Sequence, residues 1–344
     1  MLRFRAMRKQ RRGQDDILVF GDINVDIIGR VKAWPEPGAE CLAPRLELHC
    51  GGVAANCALA LRRWGISPRL FACVGEDEFG RFALKTLTKS RVDTSSVQRT
   101  SSALTGLLYI NVTRDGQRTF FGSRGANQCA PRIAQIAAAL RGIQAASITG
   151  YSLLDSSPEV VARRILRTVR ARGGWVSLDV GMEPSQVIPR KVMQIARDVD
   201  ILFVSVEEAA ALTGTADIRE SFRRLQKTGA QCVVMKLGKR GCLICESGVL
   251  RQVPAFKVKV LDSTGAGDAF VAAFLQARLR GWPELDAAVV ANAAGAVAAS
   301  VVGAGEKLPT LSQIAALLQK SRLKRPWDPV RLQALGRMQK LLRR

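Results

Sequence analysis

The stretch Asp262-Ser-Thr-Gly-Ala-Gly-Asp268 places two acids, two hydroxyls and two glycines in one short loop. Gly265 and Gly267 have no Cβ, so a ligand can come up against their backbone. From Ala266 onward Ala269, Phe270, Ala273, Phe274 and Ala277 recur at helical spacing and predict a helix with one apolar face. The unpaired N–H groups of its first turn then open into the loop, with the positive end of the helix dipole behind them. Such a cradle suits an anion, most naturally a phosphate. Val258, Val260 and Leu261 predict a strand ahead of the loop, giving strand, tight turn and helix in sequence.

Asp268 has two readings. A carboxylate repels a neighbouring phosphate unless it serves as a base or a metal contact. In phosphoryl transfer it can accept the proton of an attacking hydroxyl, while the backbone N–H groups of Gly265, Ala266 and Gly267 stabilise the transferred charge. Alternatively it caps the helix, because acids favour the first turn. The segment alone leaves both open. A dinucleotide fingerprint is excluded, since Phe270 stands where its third glycine belongs, and no G-x-x-x-x-G-K-[ST] occurs anywhere.

Composition narrows the classes. With 344 residues, 47% hydrophobic and 24% charged, the chain has the make-up of one large α/β domain or two smaller ones. The single histidine, His49, argues against Ser-His-Asp, Cys-His and multi-His metal chemistry and reads as structural. Eight scattered cysteines and no secretory h-region predict reduced thiols in the cytoplasm. Cys242 and Cys245 form a C-x-x-C, but on a strand they face opposite sides and no second pair completes a zinc site. Ala287–Gly305 is uncharged yet only weakly hydrophobic, so a buried helix is expected, not a membrane span.

The formal charge of +23 suggests nucleic acid as a partner, but much of it is terminal. Residues 1–14 hold six Lys or Arg and no acid, and residues 320–344 hold nine against Asp328 alone. Such runs are usually solvated tails, and no aromatic-rich basic strand suggests base stacking. No specific nucleic-acid partner and no membrane is therefore expected.

The elements that must position these residues follow in order. Ile17–Phe20 predicts a buried strand; 27–31, 40–48, 105–112 and 118–121 predict a small sheet, the last two a hairpin about Arg114-Asp-Gly-Gln117. Gly51-Gly52 opens a second helix, which stops at Gly65. Strands at 69–74, 145–149, 175–179, 201–204 and 232–237 alternate with helices, which implies a parallel sheet covered on both faces. Ligands sit at the carboxyl ends of such strands. Asp26, Gly51, Gly52, Asp179, Glu208, Gly238 and the 262–268 loop all follow predicted strands, so one cleft could gather them. A helix over Trp282–Val302 and another over Leu311–Leu318 complete the domain.

In this order these motifs resemble the PfkB (ribokinase-like) family of sugar and nucleoside kinases, over about residues 16–319. Asp262–Asp268 is nearly the family's D-T-x-G-A-G-D signature. Gly51-Gly52 with Asn56, Gly21-Asp-Ile-Asn-Val-Asp26, Gly75-Glu-Asp-Glu-Phe-Gly80, Val92-Asp-Thr94, Lys236-Leu-Gly238 and Ala291-Asn-Ala-Ala-Gly295 also fit. The resemblance implies a three-layer α/β/α kinase domain (15–319) between a basic N-terminal tail (1–14) and a basic C-terminal extension (320–344). Its small β-sheet lid would come from 27–48 and 105–121. It implies ATP and Mg²⁺, with Asp268 as base and Gly265-Ala266-Gly267 as anion hole. Asn24, Asp26, Gly51, Gly52 and Asn56 would hold the acceptor. Lys236, Gly238 and Thr264 would border the nucleotide, with Asn292 on the adenine side. Glu208, with Ser205 in support, would organise Mg²⁺ through water. A monovalent cation such as K⁺ near 262–264 and a homodimer paired through the lids are also implied.

Departures concern metal and substrate. Ser205 replaces the asparagine of the family's N-x-x-E, which implies altered metal dependence. Val53 stands where ribokinases usually carry Lys, and Gly150-Tyr151 lacks their usual Glu, which points away from ribose. Arg124 offers a cation to an acidic sugar or is simply an exposed arginine. The expected activity is ATP-dependent phosphorylation of a hydroxyl, a primary one, on a small sugar or sugar acid. The alternatives are a nucleoside kinase and, from another class, a non-catalytic protein binding through its basic tails.

Overall fold

The computed structural model describes residues 17–114, 118–246, 249–301, 308–322 and 329–343. Its first half comprises β1 (Ile17–Phe20), β2 (Asn24–Arg30), β3 (Leu46–Gly51), α1 (Val53–Arg63), β4 (Pro68–Gly75), α2 (Glu78–Lys89), β5 (Val97–Thr100), β6 (Gly106–Val112), β7 (Arg118–Ser123) and α3 (Ile133–Ala139). Strand and helix then alternate through β8 (Ala145–Thr149), α4 (Ser156–Ala171), β9 (Trp175–Asp179), α5 (Met182–Val187), α6 (Pro189–Ala196), β10 (Ile201–Ser205), α7 (Val206–Thr213), α8 (Ile218–Gln226) and β11 (Cys232–Lys236). The chain finishes with β12 (Cys242–Glu246), β13 (Val249–Val253), α9 (Ala266–Leu279), α10 (Glu284–Ala299), α11 (Leu311–Arg322) and α12 (Pro329–Leu342).

The large sheet has the order β13-β12-β11-β10-β9-β8-β1-β4-β5, parallel from β11 to β5, with β12 and β13 antiparallel at one edge. β8 and β9 are buried at every residue, as strands covered on both faces must be. Alternate side chains feed two cores. Ile17, Val19, Ile201 and Phe203 pack under α1, α9 and α10, whereas Leu18, Phe20, Leu202 and Val204 pack under α3, α4, α6 and α8. Phe203 meets Phe274 of α9 edge-on at 5.3 Å between ring centroids.

A separate sheet, β3-β2-β6-β7, forms the expected lid, with β2 and β6 parallel and both outer pairings antiparallel. Registers Ile27↔Leu48, Ile27↔Tyr109 and Tyr109↔Phe121 put these four residues on one face. Period two then sends Asp26 and Arg118 to the other. Of the expected turn 114–117, residues 115–117 lie outside the described residues.

Several expectations need correction. No strand precedes the glycine loop: 254–261 is irregular, with Val260 and Leu261 exposed. β propensity found no neighbour to pair with, since β13 already ends the sheet. α9 has no single apolar face. Every residue from Ala269 to Ala277 is buried, because the helix lies between the sheet, α1 and α10. α10 is shorter than 282–302, and Asp26 and Gly51 lie within strands, not after them. The basic C-terminal segment was expected to be solvated, yet Ala334, Leu335 and Met338 of α12 are buried in the core against α10. Arg337 there also meets the buried Asp286 at 2.6 Å. Among the described residues no helix is long and apolar enough to cross a membrane, and no disulfide joins the cysteines.

Candidate active site

The turn into α9 forms the loop that the sequence marks as a candidate anion cradle. Gly265 sits in the left-handed region at φ 71°, ψ 0°, where an L side chain is strained, and it caps the helix without any side-chain bond. Thr264 donates to Asp262 Oδ1 from both its N–H (2.9 Å) and its hydroxyl (2.7 Å), which folds the loop back onto itself. Gly267 is exposed, and the nearest atom that a Cβ there would meet is Lys236 Nζ at 3.9 Å. The first turn of α9 therefore opens toward a cation.

Lys236 ends β11 and Asp179 ends β9, two strands away in the sheet, so both project from its carboxyl edge. Lys236 Nζ donates to Asp179 Oδ1 at 2.9 Å. Burial works against the ammonium, but Asp179 and Glu208 outweigh it and hold Lys236 charged, above its usual range. Glu208 is buried in α7, where it and Ser205 form a reciprocal capping box. Ser205 N–H donates to Glu208 Oε2 at 2.7 Å, and Glu208 N–H to Ser205 Oγ at 3.1 Å. Burial pushes the Glu208 carboxyl up, Lys236 pulls it down and Asp179 raises it again.

Asp268 stands in the first turn of α9, yet its carboxylate does not cap it: Oδ2 accepts from Asn56 Nδ2 of α1 at 2.7 Å. Desolvation raises it to about 6, against the Asn56 bond and Lys236, which favour the ionised form. Asp26 of β2 is raised to about 7, by burial first and by the Asp268 charge second. Asp26 packs directly on Gly51, where any Cβ would strike its carboxylate. Asp26 Oδ1 and Asn56 Oδ1 are buried with no hydrogen-bond partner, an arrangement that costs free energy unless a ligand completes it. Gly52, at φ 96°, begins α1 so tightly against Asp22 that only glycine fits. Asn24 Oδ1 accepts from Asn127 Nδ2 at 2.7 Å.

The structure thus gathers Asp26, Asn56, Asp179, Glu208, Lys236 and Asp268 around the glycine loop. Gly238 lies at the same edge, after β11, and faces open space. The Asn292 amide donates to Val253 O at 3.0 Å and Cys242 Sγ at 3.5 Å, tying α10 to the sheet edge. Arg124 is not exposed; Asp155 (2.9 Å), Asp22 (3.7 Å) and the Tyr151 carbonyl (3.0 Å) hold it. Sequence reasoning missed Arg118, which reaches from the lid to the glycine loop. A lone arginine opening a strand carries no local signal of such a contact.

With this geometry in view, the comparisons assign the class. A model of the pfkB family carbohydrate kinases matches residues 14–311, and the chain belongs to that family of phosphotransferases, which act on sugars and nucleosides. It is 28% identical to fructokinase-1 of Zea mays, across 90% of this chain and 99% of that one. To aminoimidazole riboside kinase of Salmonella typhimurium it is 27% identical, across 91% and 98%. Ribokinase of Arabidopsis thaliana, solved with ribose and ATP, superposes with a TM-score of 0.76 at 25% identity, across 88% of this chain and 97% of that one.

Proposed function

We propose that the chain transfers the γ-phosphoryl group of ATP to a hydroxyl, a primary one, of a small sugar or sugar acid. One observation carries this reading: Asp268 is desolvated, held by Asn56, and set at the mouth of a helix N-terminus beside two orphaned acceptors, Asp26 Oδ1 and Asn56 Oδ1. Those acceptors suit the hydroxyls of a polyol, and a site built on such bonds rejects analogues that lack them. Asp268 takes the proton of the attacking hydroxyl. The N–H groups of Gly265, Ala266 and Gly267, backed by Lys236, stabilise charge on the group in transfer. Asn24, Gly51 and Gly52 shape the acceptor side, while Gly238 and Thr264 border the nucleotide.

Mg²⁺ held mostly by phosphates and water fits a buried acid such as Glu208, whose Oε2 accepts the Ser205 N–H at 2.7 Å. Glu208 would orient that water shell, with Ser205 fixing its carboxylate. Bound Mg²⁺ would neutralise phosphate charge. Asp262 Oδ1 already takes three donors, so K⁺ beside 262–264 would share a crowded carboxylate. A second copy on the lid is proposed from Leu46, Leu48 and Phe121, exposed on the face turned away from Asp26, with Trp34 stacked on Phe121 at 5.6 Å. The reading places the enzyme in the cytoplasm.

A nucleoside acceptor is the second reading, favoured by the likeness to aminoimidazole riboside kinase. ADP release across sugars, sugar acids and nucleosides separates the two. Turnover of none, together with polyanion binding that vanishes on trimming residues 1–14, would support the non-catalytic reading instead.

A further inference from the structure

The lid touches the anion loop as well as the acceptor side. Arg118 is the first residue of β7, paired with Val112, and its side chain is partly buried. From there it crosses to the loop ahead of α9. One guanidinium nitrogen, Nη1, donates to Asp262 Oδ1 at 3.0 Å and to Thr264 Oγ1, while Nη2 donates to Ser263 Oγ. The guanidinium carbon lies 5.9 Å from the ring centroid of Phe120, two residues along the same strand. A planar fork can hold three oxygens of one turn at once; an ammonium cannot do so with the same geometry.

Two consequences follow from where these atoms sit. Asp262 carries negative charge close to a cradle meant for phosphate, and the guanidinium offsets it. Asp262 is also the residue on which Thr264 folds, so the same contact fixes the turn that leads into Gly265. Arg118 and Asp26 share one face of one hydrogen-bonded sheet, since β2 pairs with β6 and β6 with β7. A movement of the lid over an acceptor held by Asp26 therefore carries Arg118 with it.

We propose that Arg118 is a positioning residue that locks the lid to the anion loop, so that covering the acceptor and shaping the phosphate cradle become one event. This rests on the kinase reading of the site. Its test uses the full chain, with Arg118→Ala and Arg118→Lys, and two measurements. Amide exchange of residues 262–268 needs no acceptor; initial rates use ATP with whichever acceptor the screen finds best. Arg118→Ala should speed exchange in 262–268 by roughly 10-fold or more while protection of β8–β10 stays at the wild-type level. It should lower kcat roughly 10- to 100-fold with a smaller change in acceptor KM, and Arg118→Lys should recover part of the rate. Unchanged exchange overturns the proposal, and so does faster exchange with kcat within about two-fold of wild type. A wild-type chain that turns over no acceptor sinks the kinase reading, and exchange alone then decides whether the lock exists.

Discussion

Asp268 balances two demands. As the proposed base it must be ionised to accept a proton, yet desolvation raises its carboxyl to about 6, and Asp26 nearby is raised to about 7. The Asp268 charge adds to burial in raising Asp26. The sign is plain: kcat/KM should be full above these values and fall as pH drops through them, because protonated Asp268 cannot accept the hydroxyl proton. A pH–rate profile that stays flat through that range would contradict the assignment. Asn56 donates to Asp268 and favours its ionised form, so Asn56→Ala should move the acid limb to higher pH. Asp268→Asn should cut turnover by at least ~10²–10⁴-fold and leave ATP binding, measured by calorimetry, largely intact.

Elements decide how these side chains meet. β9 and β11 end at the same edge, which puts Asp179 and Lys236 2.9 Å apart although 57 residues separate them. α1 packs on α9, which brings Asn56 to Asp268. In α7 the capping box fixes one oxygen of Glu208, so the residue serves the helix and the proposed metal shell together. Glu208→Gln should raise the Mg²⁺ concentration for half-maximal rate, and an unchanged titration would remove its metal role. Gly51→Ala, at the end of β3, would drive a methyl group into the Asp26 carboxylate. Acceptor KM should rise by roughly 10-fold or more while the KM for ATP holds, as steady-state kinetics would read.

At the scale of the whole molecule, α12 is the feature that charge patterning misread. Nine cations in residues 320–344 suggested a tail, but Pro329–Leu342 keeps one apolar stripe, and that stripe is buried in the core under α10. Arg337 gives the buried Asp286 its partner. Met338→Ala should destabilise the fold by about 2–5 kcal/mol in denaturant titration, a loss no solvated tail would show.

The sequence by itself determined the strand–helix alternation, the helix entries at Gly52 and Gly265 and the family of the chain, because glycine turns and hydrophobic period are local properties of the chain. Only the tertiary structure decided that the 254–261 segment stays irregular, that α9 is buried on all sides, and that Asn292 ties α10 to the sheet edge. It alone brought Arg118 to Asp262 across 144 residues and set Asp26 beside Asp268. Propensity and spacing describe neighbours along the chain, whereas burial, pairing partners and desolvation belong to neighbours in space.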